Sequence, residues 1–156
     1  MIDLPLDFRD LLVLLADHGA EFVMVGGHAV AFHGHPRATK DLDVLVRATP
    51  ENAKKVYAAL AEFGAPLETF EVSEQDFGTY SGVLQIGVAP LRIDILTSIS
   101  GVTFDRAIGE GSAFTLGNHK IPVIGLGALI ENKRASGREQ DRADVAVLQR
   151  VATICH

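Results

Sequence analysis

A chain of 156 residues with 47% hydrophobic residues buries about two-thirds of its unfolded surface, and we interpret 1–156 as one domain. The formal net charge of −6 excludes a broad basic surface that would hold nucleic acid by phosphate contacts alone. The single cysteine, the acidic N-terminus and the lack of a bilayer-length apolar run predict a cytoplasmic protein with no membrane contact.

The first predicted elements are a helix, a strand and a glycine turn. Apolar residues recur at helical spacing over Asp7 to Asp17, and His18-Gly19 ends that helix. Phe22 to Val25 is typical of a buried strand that ends at Gly26-Gly27, and residues 28–33 begin a helix directly after the turn. Such a turn exposes backbone N–H groups that suit a phosphate, although close packing alone also requires glycine pairs.

A polar loop over 33–40 follows, since its glycine and its proline oppose a continued helix. Arg37 could reach a phosphate, and Lys40 is a second basic candidate in the same loop. The Thr39 hydroxyl could hold the loop by bonding its backbone. The alternative interpretation of all three residues is a solvated basic loop.

Two aspartates lie in the predicted strand Asp41 to Val46. Because side chains alternate along a strand, Asp41 and Asp43 share one face, where their charges repel unless a cation compensates. The hard divalent cation Mg²⁺, with Mn²⁺ as a substitute, is the natural compensator, whereas a solvated edge strand is the alternative interpretation. Asp94 is a third carboxylate, placed inside the apolar strand-like run Leu91 to Leu96, and it favours the metal-site interpretation.

The remaining predicted elements are helices and short strands. They are a capped helix from Thr49-Pro50 to Phe63, a strand at 67–72, a hairpin of 83–88 with 91–96, a short helical turn at 103–108, a peripheral hairpin of 112–116 with 119–123, and two C-terminal helices at 124–135 and 138–151.

The C-terminal helices carry a group of charged residues. Lys133 follows Ile130 by three positions, so its stem can pack while its ammonium reaches a cleft. Asp141 and Asp144 share one face of the last helix. Ordinary surface salt bridges among these residues and Arg138 are one interpretation, and a role in a site is the other.

The order of these motifs resembles that of the minimal nucleotidyltransferases of the polymerase-β-like superfamily. In this chain Gly26-Gly27 is followed by thirteen residues, then by Asp41-x-Asp43 and later by Asp94. The segment 129–144, in which a helical lysine precedes an aspartate, is similar to the closing motif of the AbiEii-type toxins. We therefore expect the chain to lie close to that branch, which also uses two glycines where many relatives have a glycine and a serine.

The resemblance implies an α/β (α+β) fold with a small mixed sheet flanked by helices. It implies Mg²⁺-dependent transfer of a nucleoside monophosphate from an NTP to an acceptor hydroxyl on RNA, protein or a small molecule. Asp41, Asp43 and Asp94 would be the metal ligands and catalytic residues, with Lys133 as a catalytic point charge. The residues expected to bind the nucleotide phosphates are Gly26, Gly27, Arg37, Thr39 and Lys40.

The toxin-type resemblance also implies a toxin-antitoxin system, and an antitoxin or a second copy of the chain as partner. A catalytically inactive nucleotide-binding or partner-binding module of the same fold is the alternative function. A phosphohydrolase that uses similar metals is a third. The three carboxylates favour the transferase over the inactive module, because a binding module has little reason to keep three mutually repelling groups.

Overall fold

The computed structural model describes residues 4–35, 39–69, 71–79, 83–86 and 91–154. The α-helices within these ranges are α1 (Leu6–Asp17), α2 (Gly26–Phe32), α3 (Pro50–Phe63), α4 (Phe104–Ile108), α5 (Leu126–Ser136) and α6 (Glu139–Ile154), and a 3-10 helix spans Glu74–Gly78. The strands are β1 (Phe22–Val25), β2 (Asp41–Val46), β3 (Val83–Ile86), β4 (Arg92–Leu96), β5 (Ala113–Leu116) and β6 (His119–Pro122).

The main sheet has four strands in the order β1-β2-β4-β3. The two central strands, β2 and β4, are parallel, and each is paired with an antiparallel outer strand. A parallel pair requires a long crossover connection, and here the chain between β2 and β4 contains α3 and β3. The predicted fold class, a small mixed sheet flanked by helices, is confirmed.

Alternation along the central strands separates an apolar face from a polar one. Leu42 and Val44 of β2 are fully buried, and Ile93 and Ile95 of β4 are at most 4% exposed. Their neighbours in sequence point to the other face, which carries the charged residues of both strands. The sheet therefore holds its polar side chains on a rigid, well-packed support.

Local signals in the sequence explain the bounds of α3. Thr49 caps α3 by accepting a hydrogen bond from the Asn52 N–H at 3.2 Å, and Pro50 occupies its first turn. Gly64 ends the helix with φ of 95°, a left-handed conformation that favours glycine. The predicted helix from this cap to Phe63 is confirmed.

The strand predicted at 67–72 is wrong. Residues 67–69 and 71 form turns, closed by hydrogen bonds from Val72 N–H to Leu67 O at 2.8 Å and from Glu71 N–H to Glu68 O at 3.1 Å. Leu67 is buried and anchors this segment. The backbone groups of these residues are therefore paired locally, and the described residues of the segment form no strand.

The hairpin of β5 and β6 was predicted correctly, but its peripheral position is wrong. Ile121 is fully buried, and Val123 forms a parallel bridge with Met24 of β1. The Ile124 N–H also donates to the Met24 carbonyl at 3.0 Å. The hairpin thus extends the core beside β1 and leads the chain into α5.

Within the described ranges, every helix is too short or too polar to cross a membrane.

Candidate active site

The polar face of the sheet brings two of the predicted aspartates side by side. Asp43 of β2 and Asp94 of β4 are register partners on adjacent parallel strands, so their side chains leave the sheet in the same direction. Asp41 lies on the same face, two residues before Asp43. The three carboxylates predicted to form one site do lie together on one face of the sheet.

The glycine turn reaches the same point. Asp43 also pairs across the sheet with Val25, the last residue of β1, and α2 begins at the next residue, Gly26. Gly26 has φ of 71°, and a Cβ built on it would overlap the carboxylate of Asp43. Only glycine therefore allows the turn to approach this carboxylate so closely. Gly27 is buried in the first turn of α2.

The electrostatics of the cluster act most strongly on Asp43. Partial burial, the negative charge of Asp94, a hydrogen bond with the Asp94 side chain and the charge of Asp41 together raise the pKa of Asp43 to about 7. The positive charge of Lys133 opposes this shift. The pKa of Asp43 therefore lies near neutral pH.

A guanidinium closes the cluster on its outer side. Arg92 lies opposite Asp41 in the register of β2 and β4. Its Nη2 donates to Asp41 Oδ2 at 3.1 Å, and its Nε donates to Asp94 Oδ1 at 3.2 Å. The sequence prediction missed this residue, although alternation along β4 places position 92 on the same face as position 94.

The structure describes two of the three residues of the loop before β2 that were predicted to bind nucleotide phosphates. The Thr39 hydroxyl donates to the Asp41 carbonyl at 3.4 Å, so it does bond the backbone at the end of the loop. Lys40 is exposed, and its carbonyl accepts a hydrogen bond from the Arg92 N–H at 3.1 Å. Arg37 lies outside the described residues.

Lys133 is buried in a compact ionic cluster. Its Nζ lies 3.2 Å from Asp141 Oδ1 and 3.3 Å from Asp144 Oδ2. Lys133 is 5% exposed and both aspartates are fully buried. The predicted ion pairs of Lys133 and Arg138 with these aspartates are present. Their predicted surface location holds for Arg138, whose side chain is 76% exposed, but is wrong for Lys133 and the two aspartates, which are buried.

Neighbouring residues add further hydrogen bonds to this ionic cluster. Asp141 accepts from the backbone N–H and the Nε of Arg138, at 3.2 and 2.9 Å, and so caps the start of α6. Gln140 donates to Asp144 at 3.1 Å. Burial alone would raise the pKa of Asp141, but hydrogen bonds from Arg138, Ser136 and Lys133 hold that pKa well below its usual range.

The ionic cluster adjoins the carboxylates of the sheet. The charges of Lys133 and of Arg138 each act on Asp43, so α5 and α6 bring positive potential to the site. The predicted cleft contact of the Lys133 ammonium is not present in this arrangement, because Asp141 and Asp144 take up that ammonium.

The donor set fits a hard divalent cation by its chemistry. Asp41, Asp43 and Asp94 supply carboxylate oxygens, which Mg²⁺ and Mn²⁺ prefer, and the space beside Asp43 is kept clear by Gly26. In the part of the chain that the structure describes, no three His, Cys, Asp or Glu side chains are arranged as a closed metal-binding set. The guanidinium of Arg92 instead bridges two of the three carboxylates.

A match over almost the whole chain shows the protein family. A family model described as "Nucleotidyl transferase of unknown function (DUF2204)" matches residues 6–154. The chain belongs to this family. The predicted membership of a nucleotidyltransferase family is therefore confirmed.

A solved structure supports the same fold. A crystal structure from Thermotoga maritima, described as that of a putative nucleotidyltransferase, is similar with a TM-score of 0.52 and 15% sequence identity. The alignment covers 94% of this chain and 87% of that chain. At this identity the likeness shows the fold alone. No curated protein matches the chain significantly, and the AbiEii-type branch stays a prediction.

Proposed function

We propose that the protein transfers a nucleoside monophosphate from an NTP to an acceptor hydroxyl, with release of pyrophosphate, in the presence of Mg²⁺ or Mn²⁺. The observation that carries the proposal is the meeting of Asp43, Asp94 and Asp41 on one sheet face against the turn at Gly26. A cluster of carboxylates beside a glycine turn can receive a cation and a triphosphate together.

In this proposal the three aspartates hold the divalent cation. When bound, the cation would supply charge stabilisation for the triphosphate and lower the pKa of the acceptor hydroxyl. The register of β2 and β4 fixes the spacing of Asp43 and Asp94, so the strands orient both carboxylates before any ligand arrives. Binding of the cation would favour the ionised form of Asp43, because the cation stabilises the negative charge of the carboxylate.

The glycine turn and the loop before β2 would hold the phosphates. Gly26 leaves open the space next to Asp43 that any side chain would close. Thr39 holds the loop end through the Asp41 carbonyl, and Arg37 and Lys40 would supply positive charge. Gly27 has no hydroxyl to offer, so this part of the contact would be made by the backbone.

Lys133 would act on the site through its charge. Its ammonium stays between Asp141 and Asp144 and favours the ionised form of Asp43. Direct contact of Lys133 with phosphate would require it to leave two buried carboxylates, which is costly. We therefore keep the predicted role of Lys133 as a point charge that acts on the site, without direct contact with phosphate.

The finer parts of the proposal concern the acceptor and the partner. RNA, protein and small-molecule hydroxyls all fit the chemistry. The toxin-type resemblance adds that the protein would inhibit growth when expressed alone, that a cognate antitoxin would relieve this inhibition, and that an aspartate variant would be harmless.

The test uses each NTP radiolabelled at the α-phosphate, with Mg²⁺ and with cell RNA, cell protein or a small-molecule fraction. Transfer of the label to one fraction, with equimolar pyrophosphate, supports the transferase. Free phosphate without transfer indicates a phosphohydrolase, and tight binding without turnover indicates an inactive module. Either of these last two results would overturn the proposal.

A further inference from the structure

We propose that Arg92 occupies the place of the divalent cation between Asp41 and Asp94, and that it is exchanged for the cation when the site is loaded. The inference rests on the proposed function only in its expectation of a divalent cation at these carboxylates. It makes Arg92 a positioning residue that controls access of the cation to its ligands.

The register of the two parallel strands creates the arrangement. Asp41 is opposite Arg92, and Asp43 is opposite Asp94, so four side chains form a square on one face. Three corners of the square are carboxylates and the fourth is a guanidinium. Arg92 is thus the cationic corner of the site, supplied by the same strand as the third aspartate.

The distances show how the guanidinium is bound. It contacts one oxygen of Asp41 at 3.1 Å and one oxygen of Asp94 at 3.2 Å, using two different nitrogens. Mg²⁺ would need oxygens at about 2.0–2.1 Å, so the carboxylates would have to close on it. The planar guanidinium fills the space between the two carboxylates, which therefore holds either the guanidinium or the cation.

The exposure of the residues makes this exchange feasible. The side chain of Arg92 is 38% exposed and that of Asp41 is 40% exposed, whereas Asp94 is 13% exposed. The guanidinium therefore lies at the outer side of the site, with solvent available when it leaves. Ion pairs exposed to this degree contribute little free energy, so a divalent cation that prefers carboxylate oxygens is able to displace the guanidinium.

The position of Arg92 between the two carboxylates stabilises the cation-free protein. The positive charge of Arg92 reduces the repulsion between Asp41 and Asp94 while no cation is bound. The same charge lowers the affinity of the site for a cation, since the cation must displace it. A variant without this charge should bind the cation more tightly.

The experiment measures Mn²⁺ binding to the whole protein, without nucleotide, by the electron paramagnetic resonance signal of free Mn²⁺. Arg92→Gln removes the guanidinium, and Arg9→Gln makes the same charge change at an exposed position on α1. We expect Arg92→Gln to bind Mn²⁺ more tightly by roughly three- to thirtyfold, the range for losing two partly exposed pairs. Arg9→Gln should bind as the wild type does.

An unchanged or weaker affinity of Arg92→Gln would overturn the inference about Arg92 and leave the proposed transfer reaction untouched. Failure of both wild type and Arg92→Gln to bind Mn²⁺ would overturn the cation site as well. A second measurement follows the wild type as Mg²⁺ is added, and a variant serves only to assign the resonance. Its arginine Nε–H resonance, assigned by loss in Arg92→Lys, should shift towards that of free arginine when Mg²⁺ is added. A resonance that does not shift at saturating Mg²⁺ would contradict the exchange.

Discussion

Asp43 and Asp94 lie side by side on adjacent parallel strands, and a hydrogen bond joins their side chains. Two carboxylates in this relation cannot both be ionised cheaply, and the raised pKa of Asp43 expresses that cost. The cluster is therefore a strained part of the cation-free protein. A functional role of these carboxylates would explain why the protein retains a cluster that costs it stability.

The first prediction concerns the pH dependence of stability. The pKa of Asp43 is raised from 3.8 to about 7, so the folded protein binds more protons than the unfolded chain between these values. Stability from this group is present at low pH and is lost as pH rises towards 7. In the presence of a chelator, raising the pH should lower the free energy of unfolding of the wild type more than that of Asp43→Asn. The additional loss should be on the order of 1–3 kcal/mol in total.

Denaturant titrations from about pH 4.5 to 8.5 would measure this difference, because this range covers most of the interval between the two pKa values and extends above the higher one. Asp10→Asn, which makes the same change on the exposed surface of α1, serves as the control and should follow the wild type. A difference between wild type and Asp43→Asn that stays constant with pH would contradict the raised pKa of Asp43.

The second prediction compares two glycines with nearly the same positive φ angle. Gly26 has φ of 71° and Gly19 has φ of 68°, but only a Cβ on Gly26 would meet the Asp43 carboxylate. Gly19→Ala should cost about 1 kcal/mol, from backbone conformation alone. Gly26→Ala should lower the free energy of unfolding further, by about 1–3 kcal/mol, and should weaken Mn²⁺ binding. Equal effects of both substitutions would show that the turn does not contact the site.

The third prediction concerns the buried ionic cluster. Lys133→Met leaves Asp141 and Asp144 buried without their shared cation, so it should destabilise the protein by about 3–5 kcal/mol. Lys54→Met removes the same charge from an exposed position on α3 and should change stability by less than about 0.5 kcal/mol.

Thermal and denaturant unfolding would measure the effects of both lysine substitutions. The double variant Lys133→Met with Asp144→Leu should regain part of the loss, because one uncompensated charge is removed. A near-neutral effect of Lys133→Met alone would mean that the ammonium is not held in the cluster in solution.

The parts of the fold that depend on local pattern could be predicted from sequence. Alternation in Asp41 to Val46 and in the strand around Asp94 is sufficient to place three carboxylates on one face. The cap at Thr49 and the glycine at 64 define α3 in the same way. These signals are local, so no knowledge of tertiary contacts is needed.

The parts that failed depend on distant contacts. The burial of Lys133 and its aspartates is decided by the packing of α5 against α6, which helical periodicity alone does not show. The bridge between Met24 and Val123 joins elements far apart in sequence, so the burial of the second hairpin could not be predicted. Arg92 was missed for a different reason, because its importance depends on being opposite Asp41 in the register.

The fourth prediction addresses the proposed reaction itself, through NTP labelled in parallel at the α- and the γ-phosphate and incubated with acceptor and Mg²⁺. We expect the wild type to transfer the α-label and to release the γ-label as pyrophosphate. Asp94→Asn should lower this transfer by at least about a thousandfold, since it removes a ligand of the reacting centre, while the exposed control Asp10→Asn should be fully active. Transfer of the γ-label, or α-label transfer that survives in Asp94→Asn, would contradict the account.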